Sequence, residues 1–371
     1  MSIAPGLLPE GLRDRLPPQA EAGSRLLHRV VVAIGKHGYA RVSPPLAEFE
    51  EGLVGQLKSG GSRDLFRFVD PVSQRTLALR PDITAQVGRI AVSRMGHRHR
   101  PLRLAYGGTV LKLKATQLRP ERELTQAGAE LIGTDSLAAV IEILRVAVEA
   151  LEVAGVTGIT VDLTLPDLVE TLAAGAMPLP ADKIDAVRDM LDAKDAGGLA
   201  GLGADAYLPF IEAAGPVAPA LAKLRAIAGP KALDKRIEAI EAIIAAIGDR
   251  VTLTLDPTER HGFEYQHWIG FSLFGQGLSG EIGRGGTYTI VHPGGREEKA
   301  IGFSLFIDPL VDAGLGVVEH KRVFLPLGTD PAQAEQLRAA SWITIAALSA
   351  EDDAVALGCT HILRDGQPAA L

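Results

Sequence analysis

The chain has a single cysteine, Cys359, among 371 residues. One thiol closes no internal disulfide and builds no thiolate cage, which excludes a disulfide scaffold and a zinc-finger-type centre. Aromatic residues are scarce, at 5%. No apolar run approaches the ~18 residues that a membrane span needs. Net charge is −7, from 38 basic and 45 acidic side chains. A chain of that sign lacks the electrostatic footprint of a general nucleic-acid binder. The N-terminus has no basic segment leading into an apolar one, so no secretory signal is read and the chain is expected in the cytoplasm. Repeats and low-complexity tracts are missing. So are a phosphate loop closing on Lys-Ser or Lys-Thr and a nucleophile elbow. His97 and His99 sit in the basic segment Arg94–Arg100 without a third ligand at metal spacing. Neither a metal nor a cofactor is expected.

What is present is an ordinary globular composition, 47% hydrophobic and 22% charged, in a chain long enough to bury a sizeable core. At roughly 100–200 residues per domain this means two or three domains, or one large domain with an appendage. A proline-rich arm over residues 1–20 leads into a helix from about Glu21 to His37, its apolar positions Leu26, Leu27, Val30, Val31 and Ile34 following the helical repeat. Tyr39–Val42 alternates as a strand and stops at Ser43-Pro44-Pro45. A strand pair around Pro71–Gln74, a helix over Ile83–Arg94, and two antiparallel strands, Arg103–Val110 and Glu123–Ile132, follow. The link between those strands carries Lys112, Lys114, Arg119 and Arg122. A helix over Ser136–Ala154 and a strand over Ile159–Leu163 come next. Between about Pro166 and Gly248 the texture turns alanine-rich and helical. Strand patterns resume at Val251–Leu255, Phe263–Phe274 and Gly286–Ile290. The pattern then predicts a glycine-led helix over Ile301–Asp312, and Gly283–Gly286 reads as a hairpin turn. The closing residues hold a strand, a helix and shorter elements. Hairpin spacing favours an α+β fold on an antiparallel sheet. It divides into a core (1–165 and 250–318), a helical insertion (166–249) and a small C-terminal α/β appendage (319–371).

The informative signal is a set of local patterns in fixed order. Gly38–Pro45 is a strand ending at proline after a long helix. Leu79-Arg80-Pro81-Asp82-Ile83-Thr84 puts a carboxylate and a hydroxyl where a helix begins. Tyr106-Gly107-Gly108 precedes the basic loop. In Thr125–Gly133, Gln126, Gly128 and Glu130 share one strand face. Taken alone, Asp82 and Thr84 are equally a helix N-cap pair, and Gln126 and Glu130 an internally paired sheet face.

In this combination the chain resembles the catalytic domain of histidyl-tRNA synthetases, a class II aminoacyl-tRNA synthetase fold. The resemblance covers about 1–165 and 250–315. It implies that Asp82, Thr84, Gln126 and Glu130 line a histidine pocket, with Tyr265 as a wall. A carboxylate and neutral acceptors suit an α-ammonium, and a buried glutamate suits an imidazole N–H. For the ligand carboxylate the candidates are Arg119, Arg122 and Arg260, and the sequence does not choose among them.

Departures from the synthetase pattern fall on the activating machinery. Lys112 stands where the resemblance places an arginine over the phosphates, and a lysine does not replace a planar arginine fork. Pro309 stands where an arginine stacks on adenine. Arg260–Gln266 replaces the histidine-specific segment, with His261 and Gln266 at altered positions. Only about fifty residues follow His320, too few for an anticodon-reading domain, so no tRNA partner is expected. These losses resemble the regulatory subunits of ATP phosphoribosyltransferase. That resemblance implies no catalytic residue of its own and a short-form catalytic subunit as partner in a hetero-octamer. It also implies L-histidine as feedback effector, no membrane, and a place in the first step of histidine biosynthesis. The first long helix and the Tyr39–Pro45 strand would form a dimer interface. The alternative is an active ATP-dependent amino-acid-activating ligase of the histidyl-tRNA synthetase type.

Overall fold

The computed structural model describes residues 6–54, 65–114, 120–229, 231–260 and 267–371. The chain falls into two units, Met1–Gly316 and Val317–Leu371.

The first unit is built on a mixed sheet. Across it, the described strands run Ala40–Arg41, Leu102–Leu111, Glu123–Ile132, Glu297–Phe306, Gly283–Val291, Gly270–Phe274, Thr160–Thr164, Thr252–Leu255 and Gly215–Pro216. The central pairs are antiparallel, as hairpin spacing predicts. The pairs Ala40–Arg41 with Leu104–Ala105, and Thr160–Thr164 with Thr252–Leu255, are parallel.

Both faces of the central strands are covered, by different means. On one face, Ala127, Ala129 and Leu131 pack under helices Gln19–Lys36 and Leu137–Ala154, whose Leu26, Val30, Ile34, Ile143, Leu144 and Leu151 are fully enclosed. The second helix starts where Ser136 Oγ accepts from Ala139 N–H at 3.4 Å and stops at left-handed Gly155, φ 93°. Both are the residue types that terminal backbone groups require. On the other face, Val87 and Ala91 of helix Thr84–Ser93 cover Leu104, Tyr106, Leu124, Ile132, Tyr288 and Ile290.

This double coverage corrects two expectations. Ile301–Asp312 is not one helix. Its first half completes the strand Glu297–Phe306, and only Asp308–Asp312 is helical. A strand buried on both faces reads as a continuous apolar run, which periodicity does not separate from a buried helix. Gly283–Gly286 is not a turn but the start of a strand paired on both sides.

The alanine-rich stretch folds as helices Leu168–Ala173, Ile184–Asp192, Ala196–Gly201, Val217–Ala228 and Asp234–Ile247, with a 3-10 segment over Asp205–Ala213. Leu191, Phe210, Leu224, Ile240 and Ile243 join the apolar cluster that runs under the sheet. A smaller antiparallel sheet of Ala47–Phe49, Thr76–Leu79 and Arg67–Val69 carries the chain into helix Thr84–Ser93.

The second unit is a four-stranded sheet, in the order Ile343–Ala346, Arg322–Leu325, His361–Arg364, Gln367–Ala370. Helix Pro331–Ala339, capped by Asp330, covers Val323, Leu325 and Leu363. Phe324, Ala354 and the lone Cys359 form a second small cluster in this unit.

Candidate functional site

On the face covered by helix Thr84–Ser93, the apolar packing is interrupted in its middle by polar side chains. Strand alternation puts Gln126 and Glu130 on this face, and register brings Tyr106 beside Gly128, Gly302 beside Glu130, and Ser304 beside Gly128. Two glycines make the room. A Cβ on Gly302 would collide with Glu130 Oε2, and a Cβ on Gly128 would fall 2.5 Å from the Tyr106 hydroxyl.

The polar side chains form one connected network. Gln126 Nε2 donates to Asp82 Oδ2 at 2.6 Å and to Ser304 Oγ at 2.6 Å, while its Oε1 accepts from Ile83 N–H at 3.0 Å. Asp82 Oδ1 accepts from Thr84 N–H at 2.7 Å. The Tyr106 hydroxyl lies 2.8 Å from Ser304 Oγ and 3.3 Å from Thr84 Oγ1, and donates to Glu130 Oε1 at 3.3 Å. Tyr288 donates to the other carboxylate oxygen, Oε2, at 2.7 Å. Thr84, Gln126 and Glu130 are buried, whereas Asp82 is half-buried.

Burial dominates the electrostatics. It pushes the Glu130 carboxyl up to about 8, against hydrogen bonds from Tyr288, Thr84 and Tyr106, and the charge of Asp82 adds to the rise. Tyr106 is raised well above its ordinary value, first by burial and then by Glu130 and Asp82. At neutral pH Glu130 therefore holds its proton. It offers an uncharged carboxyl that can donate to the unprotonated nitrogen of an imidazole or ionise beside a cation, next to Asp82. A site of this kind is suited to an amino acid with a basic or hydrogen-bonding side chain.

The four residues expected to line one pocket, Asp82, Thr84, Gln126 and Glu130, are thus joined by hydrogen bonds. Asp82 accepts the first N–H of the helix, but Ile83 holds the N-cap position and makes no side-chain cap bond, so Asp82 and Thr84 are not an N-cap pair. Of the expected carboxylate contacts, the two that are described, Arg122 and Arg260, do not gather here. Arg122 donates to the Lys112 carbonyl at 3.3 Å and the Glu10 carbonyl at 3.0 Å, and stacks 4.8 Å from the Phe66 ring. Arg260 turns to the helical segment, its backbone N–H on Asp192 at 2.8 Å and its guanidinium 3.7 Å from Asp189. Tyr265 and Arg119 lie outside the described residues. Tyr106, Tyr288 and Ser304 were missed as network members. Their strand membership is visible in the sequence, but the register that sets them against Glu130 and Gln126 is not.

Beyond Gln126 on the same sheet the chemistry changes. Lys112 Nζ lies 5.8 Å from the Phe306 ring centre. Pro309 opens the helix Asp308–Asp312. Asp308 is buried, accepts from Thr125 N–H at 2.6 Å and is paired with Arg15; Arg13 meets Asp312 at 2.6 Å. The N-terminal arm therefore neutralises both carboxylates of this helix. Among the described residues there is no cluster of three metal-ligating side chains, and no helix is long and apolar enough to cross a membrane.

Comparison with known proteins gives a consistent picture. The sequence model of the histidyl-tRNA synthetase family matches residues 11–310. A protein named ATP phosphoribosyltransferase regulatory subunit from Paramagnetospirillum magneticum is 43% identical over 367 residues, covering 96% of each chain. Another of that name, from Rhodospirillum centenum, is 41% identical over 377 residues, covering 99% of this chain and 97% of its own. Among solved structures, an ATP phosphoribosyltransferase regulatory subunit/histidyl-tRNA synthetase from Bacillus halodurans superposes with TM-score 0.81 at 23% identity, covering 96% of this chain and 97% of that one. A histidyl-tRNA synthetase from Nostoc superposes with TM-score 0.77 at 16% identity, covering 96% and 90%. These likenesses show the class II synthetase-like fold.

Proposed function

The chain belongs to the histidyl-tRNA synthetase-like family of ATP phosphoribosyltransferase regulatory subunits, and from that premise we propose that it is a non-catalytic subunit that activates a short-form catalytic chain and makes it sensitive to histidine. The reaction, ATP with phosphoribosyl pyrophosphate giving phosphoribosyl-ATP, takes place on the partner. This chain binds the end product of the pathway and passes its presence on.

The observation that carries this reading is the buried network joining Asp82, Thr84, Gln126 and Glu130. Asp82, Thr84 and Gln126 take the α-amino end of histidine. Glu130, held between Tyr106 and Tyr288, takes an imidazole nitrogen. Such a pocket regulates only if histidine binds two states of the assembly unequally, since equal affinity shifts nothing. The altered phosphate side, with Lys112, Pro309 and the arm-paired Asp308, favours binding without activation. Self-association through helix Gln19–Lys36 and the strand after it, and a hetero-octamer with the catalytic chain, complete the reading.

The test is the rate of phosphoribosyl-ATP formation by the short catalytic chain of the same organism, alone and with this chain. Stimulation is expected. No stimulation of a partner shown to be folded and competent overturns the regulatory reading.

A further inference from the structure

The site as described holds Asp82 for an ammonium, but neither Arg122 nor Arg260 brings it a cation for the carboxylate that every α-amino acid carries on the same carbon. Arg122 and Arg260 are engaged elsewhere. We propose that Arg80 is the residue that receives the ligand carboxylate, an assignment that rests on the histidine-pocket reading above.

Arg80 lies between strand Thr76–Leu79 and helix Thr84–Ser93, two residues before Asp82. It is 6% exposed. Its backbone is fixed on both sides, N–H to the Leu46 carbonyl at 3.1 Å and carbonyl to Leu111 N–H at 3.0 Å. Two of its three side-chain nitrogens are also committed. Nε donates to the Thr109 carbonyl at 2.7 Å, and Nη1 donates to the Pro44 carbonyl at 2.9 Å and to Gln86 Oε1 at 3.4 Å. Nη2 makes no hydrogen bond among the described residues. That nitrogen is the part of the guanidinium left available to an acceptor.

The position of Nη2 is informative. It lies 2.5 Å from where a Cβ on Gly108 would stand, a point itself 3.8 Å from Ile83 Cδ1. Alternation puts Gly108 on the same face as Tyr106, the face where Tyr106 meets Glu130. Gly108 is the register partner of Gln126, whose amide holds Asp82. The unpartnered nitrogen therefore stands on the site face, across from the residue that joins the ammonium-binding carboxylate to the rest of the network. Burial works against the charge of Arg80, and Asp82 is the first carboxylate that sustains it. A planar guanidinium clamped through Nε and Nη1 is pre-oriented, so a carboxylate at Nη2 gains a charge-assisted bond at little entropic cost. The absence of a side chain at Gly108 leaves the space that this nitrogen occupies.

The test compares histidine with histidinol, which keeps the amine and imidazole and replaces the carboxylate by a hydroxymethyl group. Titration calorimetry on the full-length wild-type chain is expected to show histidine binding at least about tenfold tighter, the usual scale of one charged hydrogen bond. Arg80→Lys keeps the charge but not the Nη2 position. Gly108→Ala keeps the arginine but displaces that nitrogen from its position. Both are expected to weaken histidine about tenfold and leave histidinol within threefold. Two variants guard against a folding defect in either, and each is checked by its melting temperature. A histidine-to-histidinol ratio that is unchanged in a folded variant, or near one in the wild type, overturns the assignment. So does Lys112→Met, beside the Phe306 ring, if it removes the difference and the Arg80 and Gly108 variants do not. A wild-type chain that binds neither ligand sinks the histidine-pocket reading itself, and the Arg80 assignment with it.

Discussion

Two ends of one sheet face behave differently. At one end, Tyr106, Gln126, Glu130, Tyr288 and Ser304 are buried, mutually hydrogen-bonded and given room by Gly128 and Gly302. At the other, beyond Gln126, the charged groups of Asp308 and Asp312 are taken up by Arg15 and Arg13 of the chain's own arm. The first end keeps a buried polar network, which the proposed function reads as an amino-acid site. The second spends its charge on internal ion pairs and places a proline where the synthetase resemblance has an arginine. On the proposed reading, recognition and activation come apart because the two tasks rest on different side chains at different places on the sheet.

The comparison is broken most sharply at Glu130. Glu130→Ala removes the acceptor of both tyrosine hydroxyls, and histidine affinity measured by calorimetry is expected to fall about a hundredfold or more, the combined loss of charged hydrogen bonds and an enclosed fit. Association with the catalytic chain, read by sedimentation, should persist. Unchanged affinity removes Glu130 from the pocket.

Gly302→Ala tests the room rather than the acceptor. Its methyl group would collide with Glu130 Oε2 and approach the Ala129 carbonyl to 2.7 Å. A destabilisation of about 1–3 kcal/mol is expected from overpacking, visible in urea denaturation. A neutral result would mean that the carboxylate moves freely, contrary to its two-tyrosine clamp.

The pH dependence follows from the raised carboxyl. Folded Glu130 keeps its proton up to about 8, whereas its ordinary value is 4.5. Its contribution to stability is therefore intact below the unfolded value and is lost as pH rises through about 8. Urea titrations from pH 5 to 9 should show stability falling with pH, and Glu130→Gln should flatten that fall. Equal slopes in both proteins would contradict the assignment.

At the other end, the two arm arginines should separate. Arg15→Ala leaves buried Asp308 without its cation and is expected to cost about 1–3 kcal/mol. Arg13 and Asp312 are both exposed, and Arg13→Ala should cost less than about 1 kcal/mol. Denaturant midpoints decide this. The smallest expected effect is none: histidine-dependent pyrophosphate exchange with ATP should stay at background. Exchange above background would restore the ligase alternative.

Much of this was legible in the sequence, unevenly. The long first helix shows in the spacing of Leu26, Val30 and Ile34, because one face meets solvent and the other does not. The hairpin Leu102–Leu111 and Glu123–Ile132 shows in its hydrophobic pattern and polar link. Ile301–Phe306, expected as the first half of a helix, is strand, because both of its faces are buried and no alternation survives. The glycines of Gly283–Gly286 suggested a turn, whereas Gly285 lies inside the sheet against the Gly302 carbonyl and the Phe271 ring. In the site, Asp82, Thr84, Gln126 and Glu130 were found from local patterns and family resemblance. Tyr288, Ser304 and Arg80 depend on strand register and on a side chain crossing between elements, which no local pattern encodes.

The most direct test of the central claim, that a retained pocket senses histidine without activating it, is a histidine titration of phosphoribosyl-ATP synthesis by the assembled complex, with wild-type chain and with Glu130→Gln. The account predicts inhibition of the wild-type complex and a Glu130→Gln complex that is equally stimulated but no longer inhibited over the same range. Identical inhibition of both complexes would place the sensor elsewhere and contradict it.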